Sequence, residues 1–305
     1  MGQPARCAPA MTGTDRWAGW LLAGRDGGNS TQRQVTMRFL DSVAERILAG
    51  AGDLRGKTVL DAGAGDGLIG LAAIPAVGAD GKVVFSDISA PALREAARRA
   101  RAQSSLARTE FVVARVEDLK AIADASVDVV TTRSVLLYVA ERRQAFAAMF
   151  RVLRPGGHIS LFEPINRRMF PEPRDRFFGY DVSGAASLAN KVKAEFASLH
   201  DPAAETMRDY DEGDLLTLAE EAGFAPVHLE CHVDVETDAS LGAVSLAALL
   251  SSAPNPLAPA IGEAVDRALD GDEREQFLRH LGDSVEAGAY RWRRVAAYIS
   301  ATKPL

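Results

Sequence analysis

The residues that could do chemistry in this chain are a run of glycines and three acidic positions. Residues 59–70 read VLDAGAGDGLIG: apolar residues climb to Asp61, and glycine then falls at Gly63, Gly65 and Gly67. Glycine lets a backbone approach a ligand closely and take positive φ, so this stretch reads as a ligand-binding turn. A loop that cradles a pyrophosphate has GxGxxG spacing, with its third glycine inside the following helix. Here the spacing is GxGxG, with an acid two residues ahead of it. The Asp61 carboxylate would repel a diphosphate and suit an ammonium group. A second acid, Asp87, ends the next apolar segment, where a carboxylate can accept both hydroxyl protons of a ribose. A third pair, Glu117 and Asp118, follows the segment after that and could accept from an adenine amino group. Any one of these acids is as readily a solvated loop residue or a helix cap. All three, each after a successive apolar segment, point to a nucleoside with a positive, phosphate-free tail. S-adenosylmethionine carries an ammonium, a sulfonium and no phosphate.

The elements that must position these groups are legible as alternating strands and helices. Two helices come first, over 15–23 and 31–49, the second with Val35, Phe39, Val43 and Ile47 at near-fourfold spacing. Strands are predicted at 57–62, 82–86, 110–114, 127–132 and 158–162. Between them lie helices, one capped by Ser89 with Pro91 in its first turn, another over 142–153 stopped by Pro155-Gly156-Gly157. This βαβα rhythm of short apolar strands implies a parallel sheet covered on both faces. The pattern then loosens. Helices are expected at 188–199, 214–222, 241–250, 260–269 and 273–286, with strands at 227–235 and 294–299.

The expected organisation is a leader over 1–13, N-terminal cap helices over 14–55 and a binding core over 56–164. A lid insertion over 165–212, a core helix and strand over 213–236, a helical cap insertion over 237–288 and a last strand over 289–305 complete it. The chain has 305 residues, 47% of them hydrophobic, which is ample for one large domain with a cap. Its net charge of -6 speaks against a nucleic-acid partner. No apolar run reaches a membrane span and no signal-peptide pattern opens the chain, so a cytoplasmic protein without a membrane partner is expected. Two distant cysteines, Cys7 and Cys231, read as reduced thiols, and neither CxxC nor HExxH spacing is present, so no metal site is expected.

Taken together, VLDAGAGDG, VVFSDIS, VEDL with ASVDVVTTRSVLLYV, and VLRPGGHISLFEP resemble the ordered motifs of class I S-adenosylmethionine-dependent methyltransferases. The resemblance covers about residues 58–162, with a tail at LLTLAEEAGF. It implies an α/β fold: a doubly wound, mostly parallel seven-stranded sheet whose last strand is antiparallel, here carrying a helical cap. By matching motif, Asp61, Gly63, Ala64 and Gly65 would line the methionine part of the cofactor. Asp87 and Ile88 would contact ribose and adenine, and Val116 and Glu117 adenine. Arg133 sits where a backbone carbonyl meets the cofactor's amino group. Relatives often carry Asp where this chain has Arg115, which moves the adenine contact to Glu117. Trp20 and Arg25 are expected to close over the cofactor from the N-terminal side.

Methyl transfer from a sulfonium is an in-line displacement that positioning alone accelerates greatly, so few catalytic residues are needed. Glu163, after the fifth strand, is a candidate base, and Tyr138, after the fourth, a candidate wall of the methyl site. Asn166, Arg167, Tyr180 and His200 are candidate substrate contacts. The enclosed cap suggests a small-molecule acceptor methylated on oxygen or nitrogen. Carbon methylation of a quinone-like molecule, an NAD-dependent oxidoreductase and a catalytically silent S-adenosylmethionine binder are the alternatives. Arsenic methylation fits poorly, since it calls for several cysteines. Oligomeric state is left open between monomer and homodimer.

Overall fold

The computed structural model describes residues 15–199 and 201–305. The expected leader, Cys7 and the substrate candidate His200 lie outside them. Seven strands form one sheet: β1 Thr58–Ala62, β2 Lys82–Asp87, β3 Thr109–Val113, β4 Val127–Arg133, β5 Leu153–Pro164, β6 Val227–Glu236 and β7 Trp292–Thr302. Their order is β3-β2-β1-β4-β5-β7-β6. The first five run parallel, and β7 is antiparallel to both β5 and β6. Chain order reverses between β1 and β4, which opens a crevice at their carboxyl ends.

The central strands are apolar runs because helices cover both their faces. Val59, Leu60 and Ala62 of β1 and Val83 and Phe85 of β2 are buried. Helices α1 Arg16–Leu22, α2 Ser30–Gly50, α3 Leu68–Val77, α4 Ala90–Ala102 and α5 Arg142–Val152 belong to this layer system. In α4 the Ser89 side chain accepts the Ala92 N–H at 3.1 Å, and Leu93, Ala96 and Ala100 are buried at three- and four-residue spacing. Loss of such a cap costs a helix about 1 kcal/mol. In α2, Asn29 is the cap and Leu40, Val43, Ala44 and Ile47 face the sheet side.

The Pro155-Gly156-Gly157 stretch does not separate helix from strand. Helix α5 ends at Val152 and β5 begins at once with Leu153, paired to Val127. The strand runs through the glycines with a register shift between Val127 and Val129, where Gly156 takes φ +76° and donates to Lys303 O at 2.8 Å.

Beyond β5 come α6 Asn166–Met169, α7 Ala186–Ser198, α8 Glu212–Glu221, α9 Leu246–Ser251, α10 Ile261–Ala268 and α11 Gly271–Glu286. Phe177, Tyr180, Leu188 and Val192 share a hydrophobic cluster with Leu249, Val265, Phe277 and Leu281, so the two insertions bury their apolar faces against each other. A hairpin pairing Arg176–Phe177 with Tyr180–Asp181 was not expected from the sequence; two-residue strands carry no periodicity to read. Helix α9 starts at Leu246, later than expected, where Ser245 caps it by accepting the Ala248 N–H at 3.1 Å. No helix among the described residues is long and apolar enough to cross a membrane.

Candidate active site

The crevice at the β1–β4 switch point holds a pocket of about 320 Å³. Asp61, Gly63, Ala64, Gly65, Asp87, Ile88, Val116, Glu117, Arg133, Trp20 and Tyr138 all line it. Every cofactor candidate named from the sequence is therefore brought to one place, except Arg25.

Asp61 sits on β1 with Thr131 as its register partner on β4. Its carboxylate accepts the Gly70 N–H at 2.8 Å and the Thr131 hydroxyl at 3.2 Å, and the residue is 1% exposed. Burial pushes its pKa up to about 7. Gly63 takes φ +73°, and a Cβ there would collide with the Val135 side chain. Glycine is thus required both for the turn and for the close approach of the post-β4 loop.

At the tip of β2, Asp87 accepts the Gly65 N–H at 2.8 Å and the Ser89 N–H at 2.7 Å. Burial raises its pKa. These bonds fix the carboxylate while leaving each oxygen a lone pair for a hydroxyl donor. Glu117 forms an ion pair with Arg115. Among the described residues, neither Val116 nor Glu117 donates its backbone N–H to another residue, so two donors remain for a heterocyclic ring beside the Glu117 carboxylate.

Arg133 ends β4. Among the described residues its guanidinium makes no hydrogen bond or ion pair; burial, and then the like charge of Arg25, pull its pKa down. Tyr138 meets Trp17 edge to face, ring centroids 4.9 Å apart at 78°. Burial raises its phenol above the ordinary tyrosine range, so the hydroxyl stays neutral and can serve as a donor. Trp17, like Trp20, lines the pocket, and Trp20 Nε1 donates to Ala253 O at 2.7 Å.

Four expectations change. Glu163 is fully buried, and its carboxylate accepts the N–H groups of Val135 at 2.9 Å, Leu136 at 3.0 Å and Leu137 at 3.3 Å. It does not line the pocket; it holds the loop that does. Burial pushes its pKa up to about 7. Arg167 is exposed and lies 3.8 Å from Asp211, on the surface. Tyr180 is buried, with its hydroxyl accepting the Ala243 N–H at 2.7 Å, so it braces the cap beside a neighbouring cavity. Arg25 lines that same neighbouring cavity, of about 180 Å³. Asn166 is buried in the wall of a third cavity, of about 360 Å³. Leu21, Asp66, Leu68 and Ile69 also line the pocket at the β1–β4 switch point. Their positions in α1, the glycine loop and α3 could have suggested it, but their residue types carry no chemical signal.

A doubly wound sheet with carboxylates at the tips of β1 and β2 and two free backbone donors after β3 has the arrangement of an α/β protein of the methyltransferase kind. The donor set fits S-adenosylmethionine: acids stand at the tips of β1 and β2, and the glycine spacing is not that of a diphosphate loop.

Comparison with known proteins agrees. Residues 59–157 match the family model described as a methyltransferase domain. The ubiquinone/menaquinone biosynthesis C-methyltransferase of Escherichia fergusonii is 30% identical over 178 residues, which is 58% of this chain and 70% of that protein. The arsenite methyltransferase of Halobacterium salinarum is 34% identical over 117 residues, 38% of this chain but only 29% of that protein's length. Among solved structures, a Bacillus halodurans protein described as a methyltransferase superposes with a TM-score of 0.54 at 21% identity, covering 87% of this chain and 100% of its own. Phosphoethanolamine N-methyltransferase 2 of Haemonchus contortus, solved with phosphomonomethylethanolamine and S-adenosylhomocysteine, gives 0.51 at 15% identity, covering 87% of this chain and 53% of its own. These two show the fold. The chain belongs to the class I S-adenosylmethionine-dependent methyltransferases.

Proposed function

We propose that this protein methylates an oxygen or nitrogen atom of a small molecule, with S-adenosylmethionine as donor. The observation that carries this reading is the convergence of Asp61, Asp87 and Glu117 on one pocket at the strand tips. The donor supplies a methyl group on a sulfonium, which keeps the bonding electron pair as a thioether while the acceptor's proton passes to solvent. Asp61 holds the ammonium group, Asp87 the ribose hydroxyls, and the Val116–Glu117 turn the adenine edge. Tyr138 and Trp17 wall the reacting end, where the neutral Tyr138 phenol can donate to the acceptor atom. Glu163 is a positioning residue: by fixing the N–H groups of Val135, Leu136 and Leu137 it sets where Tyr138 stands. Catalysis on this reading is mainly alignment, which can be worth several kcal/mol of barrier.

Carbon methylation is the second reading, favoured by the 30% identity to the quinone-pathway C-methyltransferase. The test is incubation with methyl-labelled S-adenosylmethionine and a panel of phenols, amines and quinols, with the product's methyl resonance located by NMR. A methyl on oxygen or nitrogen supports the proposal, and one on ring carbon supports the second reading. S-adenosylhomocysteine binding without product from any panel member would make the chain a silent binder.

A further inference from the structure

We propose that the 360 Å³ cavity beside the cofactor pocket is the acceptor site, that it takes a largely aromatic molecule bearing a hydroxyl or carbonyl group besides the atom that is methylated, and that Phe178 limits the length of that molecule. The inference rests on the methyl-transfer reading and names its substrate class.

The cavity and the reacting end of the cofactor pocket are connected through neighbouring residues rather than a common wall. Asn166, in its lining, follows Glu163 by three residues at the end of β5. Met207, also in the lining, follows Thr206, whose hydroxyl donates to Leu137 O at 3.1 Å, next to Tyr138. Helix α1 is tied to the cavity wall by one ion pair. Its Arg16 pairs with Asp201 of the cavity wall at 2.6 Å, while the next residue, Trp17, lines the cofactor pocket.

The lining chemistry sets the class of ligand. Phe170, Phe177, Phe178 and Phe196 supply aromatic surface, and a cavity of this size suits a small ligand. Of the charged residues in its wall, Lys193 lies 3.9 Å from Glu172, Asp201 holds Arg16 and Arg208 lies over the Phe170 ring at 5.2 Å, while Glu205 makes no ion pair among the described residues. Asn166 is 8% exposed, and its side-chain amide makes no hydrogen bond among the described residues. The Asn166 amide is thus a donor and acceptor in the cavity wall that a ligand hydroxyl or carbonyl can pair with.

Phe178 stands at the tip of the cap hairpin with φ +48°, a region side-chain-bearing residues rarely occupy. Glu172 holds it there, accepting the Phe178 N–H at 3.0 Å and the Gly179 N–H at 2.6 Å. The ring meets Phe177 and Phe196 edge to face and also lines the 180 Å³ cavity that contains Arg25 and Tyr290. It is therefore a partition between two cavities. The far one offers Arg25, whose buried Nε makes no hydrogen bond and lies 3.5 Å from the Asp26 carboxylate. Removing the ring should join them and extend the site toward a guanidinium.

The test uses Phe178→Gly, since glycine is at ease at positive φ and the Glu172 bonds go to backbone. Binding of 2-naphthol and of 4′-hydroxybiphenyl-4-carboxylate to the full chain saturated with S-adenosylhomocysteine is measured by calorimetry. The wild type is expected to bind 2-naphthol and to discriminate against the longer acid. Phe178→Gly should gain at least about tenfold for the acid relative to 2-naphthol, with S-adenosylhomocysteine affinity within about twofold of wild type. Asn166→Ala should lose about tenfold for 2-naphthol, the worth of one neutral hydrogen bond. An unchanged ratio in Phe178→Gly, or wild type that binds S-adenosylhomocysteine but neither probe, overturns the proposal. Failure to bind S-adenosylhomocysteine at all overturns the underlying cofactor reading instead.

Discussion

The Asp87 carboxylate at the end of β2 accepts the Gly65 N–H of the glycine loop at 2.8 Å. One side chain thus ties the glycine loop, proposed to contact the ligand's tail, to the strand tip proposed to contact its ribose. Asp87→Ala removes both the loop tether and the hydroxyl acceptor. With charge-assisted hydrogen bonds worth about 1.5–3 kcal/mol each, S-adenosylhomocysteine affinity is expected to fall by about 10²-fold or more, read by calorimetry, while the far-UV circular dichroism stays unchanged. Unchanged affinity removes the ribose assignment.

Asp61 makes that affinity pH-dependent. Burial holds its pKa near 7 in the ligand-free protein, and an ammonium group prefers the ionised form. Binding therefore strengthens as pH rises, by about tenfold between pH 6 and pH 8 for a single coupled proton, and releases a proton near pH 7. The same raised pKa means the native state binds more protons than the unfolded chain between about pH 4 and 7. The Asp61 contribution to stability is thus lost as pH rises through that window. Calorimetry in buffers of different ionisation enthalpy reads the released proton; Asp61→Asn should release none.

Glu163→Gln separates positioning from proton abstraction. The glutamine keeps one carbonyl oxygen for Val135 and Leu136 but turns its amide N–H₂ against the Leu137 N–H. A loss of about 1–3 kcal/mol in urea unfolding is expected, with turnover retained within about tenfold. A general base would cost about 10²–10⁴-fold in turnover, and that result would return Glu163 to catalysis.

Tyr138→Phe keeps the edge contact with Trp17 and deletes only the hydroxyl. Since that phenol is held neutral, its loss should lower kcat by no more than about tenfold and leave the pH profile unchanged. Loss of a limb from the pH profile would show that Tyr138 titrates in the mechanism.

Much of the fold was legible because its strands are apolar runs between capped helices, and the cofactor side because its acids fall directly after those strands. What escaped has a physical reason in each case. The fate of Glu163 depends on which way one side chain turns at the end of β5, and nothing in LFEP records that its carboxylate folds back onto the loop after β4. Arg167 and Asn166 are neighbours on a single turn of α6, yet one faces solvent and the other a cavity. The hairpin carrying Phe178 and Tyr180 is too short for any period, so the partition between the two cavities could be found only from coordinates. Arg25, expected with Trp20 to close over the cofactor, approaches the Trp20 ring at 5.9 Å but lines the next cavity.

The central claim is that strand-tip carboxylates enclose a cationic, phosphate-free adenosine derivative. Its most direct test is titration of the full chain with S-adenosylhomocysteine and, separately, with NADH. Saturable one-to-one binding of S-adenosylhomocysteine at micromolar concentration, with no heat from NADH, is the expected result. Tight NADH binding that S-adenosylhomocysteine fails to displace would contradict it.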